Sequence, residues 1–103
     1  MADPMRIRAA LAGDETTVRV LMSHPMEPGT RKDAAGALIP AHFIKDVEAT
    51  SNGKSVLKAM FSGSVSQNPF LSFKFKGGAK GDKVVITWVD NRGDKRTDEA
   101  TIA

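Results

Sequence analysis

The chain has 103 residues, of which 41% are hydrophobic and 26% are charged, and its formal net charge is +3. This length and composition are typical of a single globular domain over residues 1–103, and they exclude a mainly disordered chain. The lack of cysteine excludes a disulfide, a thiol nucleophile and a thiolate metal site.

Apolar and polar residues alternate with a period of two along most of the chain, which predicts β-strands. The first two strands are predicted over residues 6–11 and 17–22, on either side of a turn. A third is predicted over residues 43–50, and the Asn52-Gly53 pair that follows is typical of a type I′ hairpin turn. The long segment between the second and third strands has no such alternation.

Four more strands are predicted after the hairpin, and each has one inward apolar row. These rows are Leu57, Ala59 and Phe61; Leu71, Phe73 and Phe75; Val84, Ile86 and Trp88; and Ala100 and Ile102. About seven short strands, with turns between them and no helical period, predict an all-β fold. The expected architecture is an immunoglobulin-like antiparallel β-sandwich.

The strand over residues 84–89 is apolar on both faces, because Val85 and Val89 lie opposite its inward row. Val56 and Met60 are similarly placed on the fourth strand. The outer face of a two-layer sandwich is normally polar. The pattern therefore predicts that these four residues are covered, either by a partner chain or by the long segment folding back.

The long segment, residues 23–42, contains both histidines and three of the five prolines. A metal site would need convergent ligands, and the nearest carboxylates in sequence, Glu27, Asp33 and Asp46, show no ligand spacing. A catalytic histidine would need a nucleophile, and no Gly-x-Ser-x-Gly motif is present. We therefore expect no catalytic residue, no metal, no cofactor and no enzyme activity.

A recognition surface is the other interpretation of this segment. Prolines stiffen a loop and lower the cost of ordering it on binding, and a methionine suits a partner contact. The predicted contacts are His24, Met26, Arg31 and Lys32. The alternative is a stiffened loop that packs against its own sandwich.

A stretch free of acidic residues, residues 49–81, suggests a second class of function. Its lysines could bind an anionic ligand or nucleic acid. Nucleic acid is not expected, because the aromatic side chains that would stack on bases fall on inward strand faces. The lysines are Lys54, Lys58, Lys74, Lys76 and Lys80.

Several motifs resemble the SoxZ family of sulfur-oxidation proteins, and the resemblance covers nearly the whole chain. It is most specific in residues 23–33, which include His24-Pro25-Met26 and Arg31-Lys32-Asp33. The other matching positions are Gly36, Ile39-Pro40, Phe43-Ile44, Asn52-Gly53, Ser66-Gln67-Asn68-Pro69, Thr87-Trp88-Val89-Asp90 and Gly93.

The resemblance implies an immunoglobulin-like sandwich and a non-catalytic role in thiosulfate oxidation. Proteins similar to SoxZ form a heterodimer with SoxY, whose cysteine carries covalently bound sulfur intermediates to separate Sox enzymes. The resemblance thus implies a SoxY-like partner and transient contact with those enzymes. Whether the isolated chain forms a homodimer stays open.

Two lines of argument disagree on location. No apolar run approaches the roughly 20 residues that cross a bilayer, and residues 1–6 have no apolar signal-peptide core. The sequence alone therefore predicts a chain that stays where it is made, without a membrane contact. The family resemblance implies the bacterial periplasm, reached by export together with SoxY.

Overall fold

A computed structural model describes residues 3–103, and its seven strands form where the sequence alternates. They are β1 (Arg6–Ala12), β2 (Glu15–Leu21), β3 (Ile44–Ser51), β4 (Lys54–Met60), β5 (Phe70–Lys76), β6 (Lys83–Asp90) and β7 (Lys95–Thr101). All neighbouring strands are antiparallel. The prediction of an all-β sandwich of about seven strands is confirmed.

The strands pair into two sheets that enclose the core. One sheet has the order β1-β2-β5 and the other has the order β4-β3-β6-β7. The predicted inward row of β6 is buried, and Trp88 is 1% exposed. The inward row of β5 is half-buried and packs against the same core. Antiparallel strands with one buried face explain why the sequence alternates so regularly.

The hairpin between β3 and β4 also forms as predicted. Asn52 and Gly53 have φ values of 51° and 83°, the left-handed region that a type I′ turn requires. The β3–β4 register shifts between Ala49 and Thr50, which leaves Val56 as an extra residue in β4. Val56 packs, half-buried, against the core, so it does not share a surface with Met60 as the strand pattern predicted.

The long segment divides into a buried entry and an exposed arm. Residues 22–26 run back into the sandwich, where Met22, His24 and Met26 are buried. Residues 27–42, here called the arm, form a narrow loop closed by two isolated bridges, Glu27↔His42 and Lys32↔Leu38. The tip of the arm, residues 30–38, is exposed.

The arm does not cover the outer apolar face of the four-stranded sheet. The groove on that face is lined by strand residues alone, and Met60 there is 86% exposed. Of the two ways of covering this face, folding back of the long segment is therefore wrong for the described part of the chain. The reason is that the backbone of the arm pairs with itself.

Within residues 3–103 no helix is long and apolar enough to cross a bilayer.

Candidate functional site

Both histidines converge on one buried carboxylate where the arm meets the sandwich. His24 Nε2 lies 3.0 Å from Asp90 Oδ2, and His42 Nε2 lies 2.8 Å from the same oxygen. The other oxygen, Oδ1, accepts the backbone N–H groups of Arg92 and Asp94, each at 2.9 Å. Asp90 is 3% exposed and ends β6. We call His24, His42 and Asp90 the His–Asp–His junction.

The local backbone fixes which nitrogen of His24 carries the hydrogen. The N–H of Met26 donates to His24 Nδ1 at 3.1 Å, so Nδ1 must supply a lone pair. The hydrogen of the neutral ring is then on Nε2, which donates it to Asp90. Met26 adopts a φ of 50° to close this turn, and its sulfur accepts the N–H of Ile44 at 3.3 Å.

Asp90 remains charged in this buried position. Burial is the largest single influence on the pKa of Asp90, and it raises that pKa. The hydrogen bonds from His24, His42 and the backbone N–H groups of Arg92 and Asp94 together lower the pKa by more than burial raises it. The net pKa of Asp90 lies below the ordinary 3.8. A carboxylate that accepts several hydrogen bonds in its ionised form is stabilised in that form.

We expect acid to weaken the fold partly through this group. Because the folded-state pKa of Asp90 lies below its unfolded value of 3.8, ionised Asp90 stabilises the fold above that pH. This stabilisation is lost as the pH falls through the lower folded-state pKa. An NMR titration of the side-chain carboxyl carbon of Asp90 measures it directly. A midpoint at or above the ordinary value would contradict the prediction.

The junction has the composition of a three-ligand metal site, since its donor atoms lie within 4.8 Å of one another. Its hydrogen bonding opposes that use. A metal on Nε2 of His24 would move the ring hydrogen to Nδ1, opposite the N–H of Met26. Metal-bound histidines normally donate through the second nitrogen, whereas this one accepts. The geometry favours a hydrogen-bonded junction, and the absence of a metal stays a prediction.

Isothermal titration of the chain with Zn²⁺ tests that prediction. We expect no saturable binding of one ion per chain, because the neutral tautomer of His24 directs a hydrogen at the carboxylate. A His42→Ala variant is the matched control for binding by scattered surface groups. Stoichiometric binding that this substitution abolishes would contradict the prediction.

A cleft of about 350 Å³ opens beside the junction. It is lined by the three junction residues together with Ser23, Trp88 and Asp94, among others. The indole N–H of Trp88 is buried without a hydrogen-bond partner in the described residues. Both ring nitrogens of His24 have hydrogen-bond partners within the fold. Neither histidine has a hydrogen bond to a serine in the described chain.

The structure corrects the predicted exposure of two recognition residues. His24 and Met26 are each 4% exposed, so the expectation that they form a surface feature is wrong. The carboxylate of Asp90 and the sulfur–backbone contact with Ile44 hold them inside. The alternative of a loop packed on its own sandwich holds for residues 22–26. Arg31 and Lys32 do lie exposed on the arm, and Arg31 pairs with Glu27 at 2.8 Å.

Three other predicted contacts share one outer face. Met60, Val85 and Val89 lie on the outward side of the four-stranded sheet, and the two valines are half-buried. One row across the sheet reads Met60, Asp46, Val89 and Lys95. A groove of about 640 Å³ runs along this row. Whether these residues contact a partner stays a prediction.

Sequence reasoning missed Asp90. It considered only carboxylates close to the histidines in the chain, whereas Asp90 is 66 residues from His24 and 48 from His42. The available signal was its position at the end of the strand over residues 84–89, directly before an Asn-Arg-Gly turn. A carboxylate at the end of a buried strand lies beside the loops of the sandwich. It can therefore contact residues that are distant from it in sequence.

The comparisons with known proteins give a family and a fold. The family model described as sulphur oxidation protein SoxZ matches residues 5–101. None of the curated proteins is significantly similar in sequence to the chain. A hypothetical protein from Pyrococcus horikoshii OT3 is similar in structure, with a TM-score of 0.68 and 20% identity over 99% of this chain and 89% of that one.

Two structures of superoxide reductase (neelaredoxin) from Ignicoccus hospitalis are also similar. Their TM-scores are 0.60 and 0.58, with 18% and 16% identity, and in both cases 99% of this chain and 82% of that chain are covered. At such low identity the three structures show a shared fold alone.

Proposed function

Since the chain belongs to the SoxZ family of sulphur oxidation proteins and is a subunit of the Sox system, we propose that it is the non-catalytic half of a carrier complex. Its partner is a SoxY-like chain whose cysteine holds sulfur intermediates covalently during thiosulfate oxidation. The match over residues 5–101 is the observation that carries this proposal.

The residues of the chain support a non-catalytic role. It has no cysteine to which sulfur could be attached, so a covalent carrier must use another chain. The junction uses both nitrogens of His24 for hydrogen bonds within the fold. Its chemistry is that of a fixed polar contact at the root of the arm.

The outer face of the four-stranded sheet is the proposed contact with SoxY. Its exposed Met60 and its half-buried Val85 and Val89 are apolar, with Asp46 between Met60 and Val89 and Lys95 beyond Val89 in the same row. Methionine is enriched at protein interfaces relative to the rest of the surface. The arm, with exposed Arg31 and Lys32, is the proposed contact with visiting Sox enzymes, and the complex works in the periplasm after export with SoxY.

Co-expression with the SoxY of the same genome tests the proposal. We expect a complex of one chain of each kind, and intact-mass measurement should show thiosulfate- or sulfur-sized adducts on the SoxY chain only. Purified chain without SoxY should take up no adduct and turn over no sulfur compound. Failure to co-purify, or adducts on this chain, would contradict the proposal.

A further inference from the structure

The outward side of the three-stranded sheet is strongly basic, and the proposed function does not use it. Five cations extend from it, with Glu15 as the one acid among the exposed residues of these strands. The net charge of these six residues is +4, whereas that of the whole chain is +3, so the rest of the molecule is close to neutral. We call this surface the basic face: Arg6, Arg8, Arg19, Lys74 and Lys76.

Two arginines of the basic face lie where their like charges repel each other. Arg8 and Arg19 are direct cross-strand partners, and like charges directly opposite destabilise a sheet. In the described chain no carboxylate lies within 4.0 Å of Arg6, Arg8, Arg19 or Lys74, and Lys76 reaches only the exposed Asp14, at 4.0 Å. The positive charge is therefore free to meet an outside partner.

We propose that the basic face docks an acidic surface of another protein. Cross-strand neighbours have Cβ atoms about 4.5–5.5 Å apart, so the side chains of Arg8 and Arg19 start from adjacent positions on this face. Each guanidinium binds a carboxylate through two parallel hydrogen bonds. The partner must therefore offer at least two neighbouring carboxylates, as one face of a strand or of a helical turn does.

The surroundings of the arginine pair fit a protein partner. A groove of about 520 Å³ is lined by Arg8 and Arg19 together with Ala10, Ala12 and Thr17, among others. The next row across the sheet is Arg6, Leu21 and Phe70, in which Leu21 is 41% and Phe70 is 63% exposed. Arginine beside an exposed aromatic is the composition of protein-binding hot spots.

A nucleic acid fits this face less well. Stacking of successive bases needs several exposed aromatic rings along the path of the strand. Phe70 supplies one, whereas Phe73 and Phe75 of the same strand pack against the core. The basic face also lies on the opposite side of the sandwich from the proposed SoxY contact, so the two surfaces can be occupied together. The inference does not rest on that contact.

Binding of poly-L-glutamate at low salt, measured by fluorescence anisotropy on the full chain, tests the proposal. Arg8→Glu with Arg19→Glu should weaken binding about tenfold or more, because close charge pairs at an interface carry couplings of this size. Lys54→Glu with Lys80→Glu removes the same formal charge away from the basic face. This control should bind nearly as well as the unmodified chain.

Three outcomes would overturn the proposal. These are no binding of poly-L-glutamate at low salt, an equal loss in both double variants, and tighter binding of oligothymidylate than of poly-L-glutamate. The second would favour the dispersed lysines of residues 49–81, and the third a nucleic-acid partner. Arg8→Gln with Arg19→Gln, which avoids new negative charge, should also weaken binding if its circular dichroism shows a folded sandwich.

Discussion

Replacing Asp90 by alanine is expected to lower the free energy of unfolding by about 3–5 kcal/mol, because several hydrogen-bond donors lose their acceptor at about 1–3 kcal/mol for each one that water does not reach. Four hydrogen bonds end on this carboxylate, from His24, His42 and the backbone N–H groups of Arg92 and Asp94. The His24 donor is buried, so water cannot freely replace its lost acceptor. Urea unfolding at neutral pH measures the loss.

Asp94→Asn is the matched control, because Asp94 is exposed and neutralising it removes the same formal charge. It should change the free energy of unfolding by less than about 0.5 kcal/mol. The loss in free energy of unfolding for Asp90→Asn should lie between the losses for Asp90→Ala and Asp94→Asn. Its amide oxygen can still accept the backbone N–H groups, while its NH₂ group would face the histidine N–H groups. An Asp90→Ala variant as stable as the control would contradict the role of the junction.

Replacing Asp90 by alanine should also make the arm more mobile. His42 begins the return to β3 and exchanges two backbone hydrogen bonds with Glu27, at 2.7 and 2.9 Å. Without the Asp90 carboxylate, the bonds of Asn91 to Phe43 and Ala41 would still tie this end of the arm to the β6–β7 turn. Amide hydrogen exchange at Glu27 and His42 should accelerate more than exchange within β2. Uniform acceleration would indicate global destabilisation alone.

Replacing Met60 by aspartate is expected to weaken the complex with SoxY by at least about 100-fold, the effect of an unpaired charge buried at an interface. Met60 is 86% exposed in the isolated chain, so the substitution should leave the sandwich folded. Val85→Asp tests the other end of the same face. Co-purification with tagged SoxY, followed by titration calorimetry, measures both.

Ser72→Asp is the control, since it adds the same charge on the outward side of the opposite sheet. It should not affect binding of SoxY. Val85 is half-buried, so a folded-state spectrum of its variant is needed before its affinity is interpreted. If the Met60 and Val85 variants co-purify with SoxY undiminished, the outer face of the four-stranded sheet is not the SoxY contact.

The fold was largely predictable because the pattern that encodes it is local. Burial on one face forces alternation with a period of two, and the Asn52-Gly53 pair accepts the positive φ values of its turn. Val56 was misplaced for a related reason. The register shift in β4 breaks the alternation by one residue, and nothing in the residues beside it marks the shift.

The long segment was harder to interpret, because its exposure depends on groups far away in sequence. Proline, methionine and histidine in a loop are compatible with either a surface or a core position. His24 and Met26 became core residues since Asp90 and the backbone of Ile44 supply their polar partners. The arginine pair on the basic face was likewise invisible, because Arg8 and Arg19 meet only through the register of β1 and β2.

By itself, the sequence determined the strand pattern, the absence of a thiol and the family resemblance, all of which are written in neighbouring residues and local motifs. Only the tertiary structure decided that both histidines meet on Asp90, that residues 22–26 are buried and that the arm leaves the outer apolar face open. The physical reason is that hydrogen-bond partners and burial are set by which distant segments pack together. Alternation along one strand shows which of its own residues face inward, but it carries no information about which distant segments they meet.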